Sequence, residues 1–209
     1  MSVLSKIIAA TKAFSFTRIF TTRDVLALGK RSAVDKALGR LVNCKWIERL
    51  SPGVFRRFKY NNKPAEPAHV AAAKAISFGR SIATISPLKQ HPNMPRLKIK
   101  TKSNAELPQI FFAIEGRTSS FVYGKIRIVL KGIAPRKLAL GESVFGRILR
   151  LAWLEGVHNS EQLSQFLDRE APMITMQERK HTSRFLHYLP WWLAEPWREF
   201  LAWQDCLVL

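Results

Sequence analysis

The side chains best suited to chemistry in this sequence are four polar groups that recur at intervals of three or four residues: Ser32, Lys36, Arg40 and Asn43. This spacing brings side chains to one face of an α-helix. Arginine and lysine donate to guanine, asparagine pairs with adenine and serine contacts either base, so the set fits base edges in a DNA major groove. Gly39 lies on the same face and would let the helix backbone approach a duplex. A solvated helix face explains these residues equally well if the helix is taken alone.

Further polar and basic residues just before this helix are suited to the phosphate backbone. Thr22 and the turn from Gly29 to Ser32, which includes Lys30 and Arg31, are expected to anchor two successive helices on a duplex. Contacts of this kind position a protein on DNA but carry little sequence information.

Motifs typical of catalysis or metal binding do not occur in the sequence. The five histidines show no HExxH or similarly tight ligand spacing. No Gly-rich phosphate motif and no GxSxG motif occurs. Cys44 and Cys206 do not form a CxxC pair. We therefore expect no enzymatic activity, no bound metal and no cofactor.

Three helices are predicted to position the polar residues. The first runs from Ser2 to about Phe14, and the apolar segment FSFTRIF links it to the second. The second opens with the capping sequence TTRD and closes at Gly29, which we expect in the left-handed conformation. Ser32 is the expected N-cap of the third helix, which ends near Asn43. Its buried stripe is expected to consist of Val34, Ala37, Leu38 and Leu41.

A hairpin is predicted to follow the third helix. WIERL and VFRRFKY alternate as strands do, and the intervening Ser-Pro-Gly is typical of a turn. Because alternation sends Arg56 and Arg57 to opposite faces, we expect one of them to hold a flanking phosphate. Three helices and a hairpin predict a winged helix-turn-helix DNA-binding domain over residues 1–62.

Residues 63–209 are predicted to form an α+β domain that serves for interaction. The stretch NNKPAEP marks the boundary, and HVAAAKAIS predicts a helix. RLKIKT, QIFFAIEG, SFVYG and KIRIVLKG predict a small, mostly antiparallel sheet with one solvated, basic face. From about Ser143 the periodicity predicts a helical tail. Its Trp-rich end, FLHYLPWWLAEPWREFLAW, suits either the core or a partner surface.

A second group of basic residues lies in this middle region. We expect secondary phosphate contacts from Lys98, Lys100, Lys125, Arg127, Arg136 and Lys137. Protection of an exposed sheet edge by lysines is an equally good explanation.

The charge of the chain favours a polyanionic partner. The net charge is +19, and self-repulsion makes so large an excess of one sign costly. Residues 1–63 contain 14 Lys/Arg against 3 Asp/Glu, whereas residues 143–209 contain 7 against 8. The sequence has no apolar run of the roughly 18 residues that a membrane span requires, and we expect a cytoplasmic, nucleoid-associated protein.

Two stretches carry a resemblance to a known family: FTTRDVLALGKRSAVDKALGRLVNCKWIERLSPGVFRR and FVYGKIRIVLKGIAPRKLAL. Together with LRLAWLEG and FLHYLPWWL, they resemble the AbiEi-type antitoxins of bacterial type IV toxin–antitoxin systems. The resemblance implies an autorepressor that binds promoter DNA, with a C-terminal antitoxin domain and a nucleotidyltransferase-like toxin opposed indirectly. Inverted repeats would call for two copies of the chain, as a weak dimer or as independent monomers.

Two alternatives from other functional classes remain open at the level of sequence. The first is an interaction module or inhibitor whose basic face binds an acidic protein. The second is an RNA-binding protein that stacks bases on the aromatic residues of the sheet, namely Phe111, Phe112, Phe121 and Tyr123.

Overall fold

The structure, a computed structural model, describes residues 1–85, 107–170, 175–187 and 189–206 of the 209-residue chain. Within these residues the fold is α+β with two small sheets and several helices, which confirms the predicted fold class at this level. The chain divides into two compact units. Residues 1–82 and 107–132 belong to the first unit, and residues 83–85 and 133–206 belong to the second.

The first unit begins with the elements that carry the predicted polar face. In chain order these are α1 (Val3–Lys12), β1 (Ile19–Thr21), a 3₁₀ helix (Thr22–Leu28), α2 (Arg31–Asn43), β2 (Ile47–Ser51) and β3 (Val54–Arg57). The strands form an antiparallel sheet in the order β1-β3-β2. The prediction of FSFTRIF as a mere link was wrong for its last part, because Phe20 of β1 pairs with Phe55 of β3.

The stripe predicted for α2 is buried, and it fixes the orientation of this helix. Val34, Ala37, Leu38 and Leu41 are each 4% exposed or less. They pack in one core with Ile7, Phe20 and Phe55. Burial of a large aliphatic side chain contributes about 1.5–3 kcal/mol. The opposite face of α2 is therefore held toward solvent by a stable core.

The ends of these helices differ in part from expectation. Asp24 accepts hydrogen bonds from the backbone N–H and the hydroxyl of Thr21, at 2.5 and 2.8 Å, as the capping sequence predicts. Gly29 is not left-handed, because its φ of 173° is extended backbone. A Cβ at this position would lie 2.6 Å from Cγ2 of Val3, so any other residue would require the Val3 side chain to shift. Ser32 is not the N-cap of α2, since the helix begins at Arg31 and Lys30 occupies that position.

The rest of the first unit packs against the hairpin. It contains α3 (Pro67–Ser77), β5 (Gln109–Glu115), β6 (Ser119–Tyr123) and most of β7 (Ile126–Ile133). Val54 of β3 shares a core with Val70 of α3 and Phe112 of β5. The predicted boundary after residue 62 therefore does not coincide with the division into compact units, because residues on both sides of it share this core.

The second sheet has the strand order β4-β5-β7-β6, where β4 is Ile82–Thr84. The strands predicted from QIFFAIEG, SFVYG and KIRIVLKG are present, and β6 and β7 pair antiparallel, whereas RLKIKT lies outside the described residues. The prediction of one solvated face was wrong for the centre of the sheet. Ile128 and Val129 are neighbours with opposite orientations, and both are buried.

The second unit is the predicted helical tail. Its helices are α4 (Pro135–Leu138), α5 (Val144–Leu154), α6 (Ser160–Glu170), α7 (Met176–Leu186) and α8 (Trp191–Cys206). The Trp-rich segment contributes to the core, whereas the alternative of a partner surface stays a prediction. Trp197 is fully buried with its ring centroid 4.8 Å from that of Phe145, whereas Trp191 and Trp203 are exposed.

Candidate nucleic-acid interface

The face of α2 opposite the buried stripe is open to solvent along its whole length. Ser32, Lys36, Arg40 and Asn43 are all exposed, as the helical spacing predicts. A Cβ added to Gly39 would have no heavy atom within 4 Å. The structure therefore brings the four predicted hydrogen-bonding side chains together on one exposed surface, with a side-chain-free position among them.

Lys30 and Arg31 are exposed at the beginning of α2, but Arg31 has a partner on the same helix. Its Nε donates to Oδ2 of Asp35 at 2.9 Å, and both side chains are at least half exposed. Such an exposed pair contributes little to stability, so Arg31 can exchange it for a phosphate. Asp35 was missed at the level of sequence, although its spacing from Ser32 places it on the polar face.

Thr22 is only 7% exposed, because it packs beneath the tip of the β2–β3 hairpin. Its backbone N–H donates to the carbonyl oxygen of Gly53 at 3.0 Å. Thr22 therefore helps to connect the 3₁₀ helix to the hairpin, and its neighbour Arg23 is exposed.

Arg56 is used inside the first unit. It is 6% exposed and lies directly across the hairpin from Glu48. Its Nε donates to Oε1 of Glu48, and its Nη1 donates to the carbonyl oxygen of Lys63 at 2.9 Å. A buried guanidinium with these partners ties the hairpin to the chain that leaves it.

Arg57 is also held by internal contacts. Its Nη1 donates to the carbonyl oxygens of Lys12 and Phe14, each at 3.1 Å. Its Cζ lies 4.3 Å from the ring centroid of Phe16. Arg57 thus satisfies the carboxyl end of α1, and the hairpin presents neither of its two candidate arginines freely. These partners are distant in sequence, so alternation alone did not reveal them.

The secondary basic residues come from different parts of the chain. Lys98 and Lys100 lie outside the described residues. Lys125 is exposed in the β6–β7 turn and Arg127 is half-buried in β7, both in the first unit.

Arg136 and Lys137 belong to α4 in the second unit, where Arg136 is exposed. Nζ of Lys137 lies 4.0 Å from the ring centroid of Trp153. Burial, and to a smaller extent the neighbouring charge of Arg136, lowers the pKa of Lys137 below its usual value.

The aromatic side chains proposed for stacking RNA bases are mostly engaged. Phe112 and Phe121 are buried in the second core of the first unit. Tyr123 packs against that core, and its hydroxyl donates to the carbonyl oxygen of Ala65 at 2.9 Å. Phe111 is half-buried. A platform of exposed rings on which successive bases stack does not exist among the described residues of this sheet.

A cavity of about 220 Å³ in the second unit is lined by Ser143, Glu178 and His181, among others. These residue types suit nucleophilic catalysis, but two of them have other partners. The Ser143 hydroxyl donates to Leu140 and accepts from the N–H of Gly146 as a helix cap. Glu178 accepts from both donors of Thr175. The cavity therefore does not display a serine activated by histidine.

Comparison with known proteins does not identify the chain: it matches no family model, no curated protein and no solved structure. Within the described ranges, no helix is both long and apolar enough to cross a membrane. The same ranges contain no group of three or more His, Cys, Asp or Glu side chains that could hold a metal ion.

Proposed function

We propose that this protein is a sequence-specific DNA-binding transcriptional regulator whose first residues form a winged helix-turn-helix. The order helix, strand, 3₁₀ helix, helix and hairpin supports this proposal. In such a unit the second helix of the pair enters the major groove and the first crosses the backbone. Here α2 would be the recognition helix.

The observation that carries the proposal is the contrast between the two faces of α2. Its core stripe is almost fully buried, while its other face exposes Ser32, Lys36, Arg40 and Asn43 around Gly39. If this face needed only to be solvated, alanine in place of Gly39 would stabilise the helix by about 1 kcal/mol. Close approach to a duplex is a physical reason to keep Gly39.

The internal contacts of the hairpin modify how such a unit would hold DNA. Since Arg56 and Arg57 are occupied, the phosphate contacts are assigned to Lys30 and Arg31 at the start of α2. This leaves the hairpin with a structural role, which differs from the expectation that one of its arginines clamps a flanking phosphate.

The resemblance to AbiEi-type antitoxins supports a more specific proposal. The protein would repress its own promoter at inverted repeats and oppose a nucleotidyltransferase-like toxin without a tight complex. Co-expression with such a toxin tests this: growth should be restored although the two proteins do not co-purify. Growth arrest that persists would contradict the antitoxin role and leave the DNA-binding proposal standing.

Selection from a random duplex library tests DNA binding. We expect enrichment of an inverted repeat that the double variant Lys36→Ala/Arg40→Ala no longer distinguishes from random DNA. The matched control is Lys6→Ala/Lys12→Ala, which removes the same charge from exposed positions of α1. Selection that enriches no sequence, or equal loss in the two variants, would contradict sequence-specific recognition by α2.

A further inference from the structure

A second basic surface is formed by residues outside α2, where the end of α3 meets the 3₁₀ helix. The ring of Phe78 is half exposed there, although a phenyl group normally packs inside. Cζ of Arg23 lies 4.5 Å from its ring centroid and Cζ of Arg80 lies 5.8 Å from it. We call Arg23, Phe78 and Arg80 the Phe78 cluster.

Arg23 is held in place by two contacts that leave part of its guanidinium accessible. Besides the ring contact, its Nη1 donates to the carbonyl oxygen of Ser77 at 3.1 Å. A guanidinium held on an aromatic face keeps its charge and its remaining donors. Because Arg23 is already ordered, less conformational freedom is lost when it binds a ligand.

The two arginines of the cluster form no ion pair with their described surroundings. Among the described residues, neither Arg23 nor Arg80 forms a salt bridge. Two guanidinium groups without an ion pair, beside an exposed ring, favour an anionic partner. The planar fork of arginine matches the geometry of a phosphate.

The position of Arg23 in the chain indicates that the phosphate bound here belongs to the DNA backbone. Arg23 directly follows Thr22 in the 3₁₀ helix, the first helix of the pair that precedes α2. In a helix-turn-helix this helix crosses the DNA backbone. Thr22 is buried, whereas Arg23 is exposed, and the exposed Asp24 beside it accepts hydrogen bonds from Thr21.

We propose that the Phe78 cluster binds the phosphate backbone of duplex DNA beside the segment contacted by α2, with Arg23 and Arg80 as ligands and Phe78 as a positioning residue. This inference rests on the proposed function. It extends the interface to the end of α3, beyond the predicted boundary at residue 62. It also supplies the flanking contact that the hairpin arginines do not make.

Substitution of Arg23 tests the proposal against a control of the same chemistry. Arg18 is also exposed and stacks on a phenyl ring, with its Cζ 3.9 Å from the centroid of Phe14. Affinity for the selected duplex is measured over a series of salt concentrations, with the melting temperature of each variant recorded. Arg23→Ala should weaken binding about threefold to tenfold and reduce the salt slope by about 1. Arg18→Ala should change neither.

Two further variants distinguish the effect of the charge at position 23 from the effect of how that charge is held. Arg23→Lys should recover the salt slope but only part of the affinity, because an ammonium is a point charge without the arginine fork. Phe78→Leu should weaken binding while the slope stays unchanged, since the cations remain but are less well held.

The possible failures point to different conclusions. If the unmodified protein does not bind duplex DNA, the proposed function itself fails. If it binds and Arg23→Ala behaves like Arg18→Ala, only the Phe78 cluster is excluded from the interface. If Phe78→Leu loses more affinity for single-stranded DNA than for duplex DNA, bases stack on Phe78, and the assignment of the cluster to the duplex backbone is overturned.

Discussion

At the scale of single residues, Lys36 and Arg40 are the side chains through which α2 would read sequence. Both are exposed on the polar face and project from a helix that is fixed by its buried stripe. Replacing either by alanine should cost roughly 1–3 kcal/mol of specific binding if its contact to a guanine is bidentate. Titration of operator and random duplexes by each variant checks this. Lys6→Ala serves as a control for the loss of one charge, and equal losses on both duplexes would show that the helix touches only phosphates.

Gly39 allows stability and binding to be separated at one residue. Because a Cβ there meets nothing within 4 Å, Gly39→Ala should fold without strain and raise the free energy of unfolding by about 0.5–1 kcal/mol. If the backbone of α2 approaches DNA at this point, the same methyl group should weaken operator binding. Urea unfolding and a binding titration measure the two effects. A variant that is more stable and binds equally well would show that α2 does not approach the duplex at Gly39.

At the scale of elements, the hairpin is a structural brace whose stability depends on Arg56. Removing one partner of a buried ion pair costs about 3–5 kcal/mol when both are fully buried. The Glu48 side chain is 28% exposed, and solvent lowers that cost, so we expect Arg56→Ala to destabilise the fold by about 2–3 kcal/mol. Arg49→Ala, an exposed arginine of the same hairpin, should stay within about 0.5 kcal/mol.

Urea unfolding and DNA binding at low temperature decide between a structural and a functional role for Arg56. Folded Arg56→Ala protein should bind DNA as the unmodified chain does. If its stability is unchanged while its affinity falls, Arg56 faces the duplex and the brace interpretation is wrong.

Elements governed by local pattern were predictable from the sequence, whereas roles set by distant contacts were not. The buried stripe and the exposed face of α2 follow from a 3.6-residue period, which depends only on near neighbours. The strand at Phe20 depends on pairing with Phe55, and the role of Arg56 depends on its register with Glu48. The N-cap at Lys30 rather than Ser32 reflects how weakly local sequence fixes the end of a helix.

The residues of the candidate site show the same difference between positions set by local pattern and roles set by distant contacts. Ser32, Lys36, Arg40 and Asn43 lie where their spacing places them. Arg57 and the Phe78 cluster could not be assigned from the sequence, because their partners come from α1 and from the end of α3.

At the scale of the whole molecule, the net charge of +19 does not by itself set how strongly DNA binding depends on salt. Each phosphate neutralised at an interface contributes about 0.9 to the slope of log K against log salt concentration, and distant charges are screened. The cations assigned to the interface are six: Arg23, Lys30, Arg31, Lys36, Arg40 and Arg80. If four to six of them neutralise phosphates, the slope should lie between about −3.6 and −5.4.

Titrations between about 50 and 300 mM salt measure this slope, with Arg198→Ala as the control. Arg198 lies in α8, within the part of the chain that has no basic excess, and pairs with Glu195 at 3.1 Å. Its removal lowers the net charge by one but should leave the slope unchanged, because a cation outside the interface releases no counterions from DNA. A flat salt dependence would contradict the polyanionic partner. A slope much steeper than −6 would require cations beyond the α2 face and the Phe78 cluster, with Lys125 and Arg127 as the next to substitute.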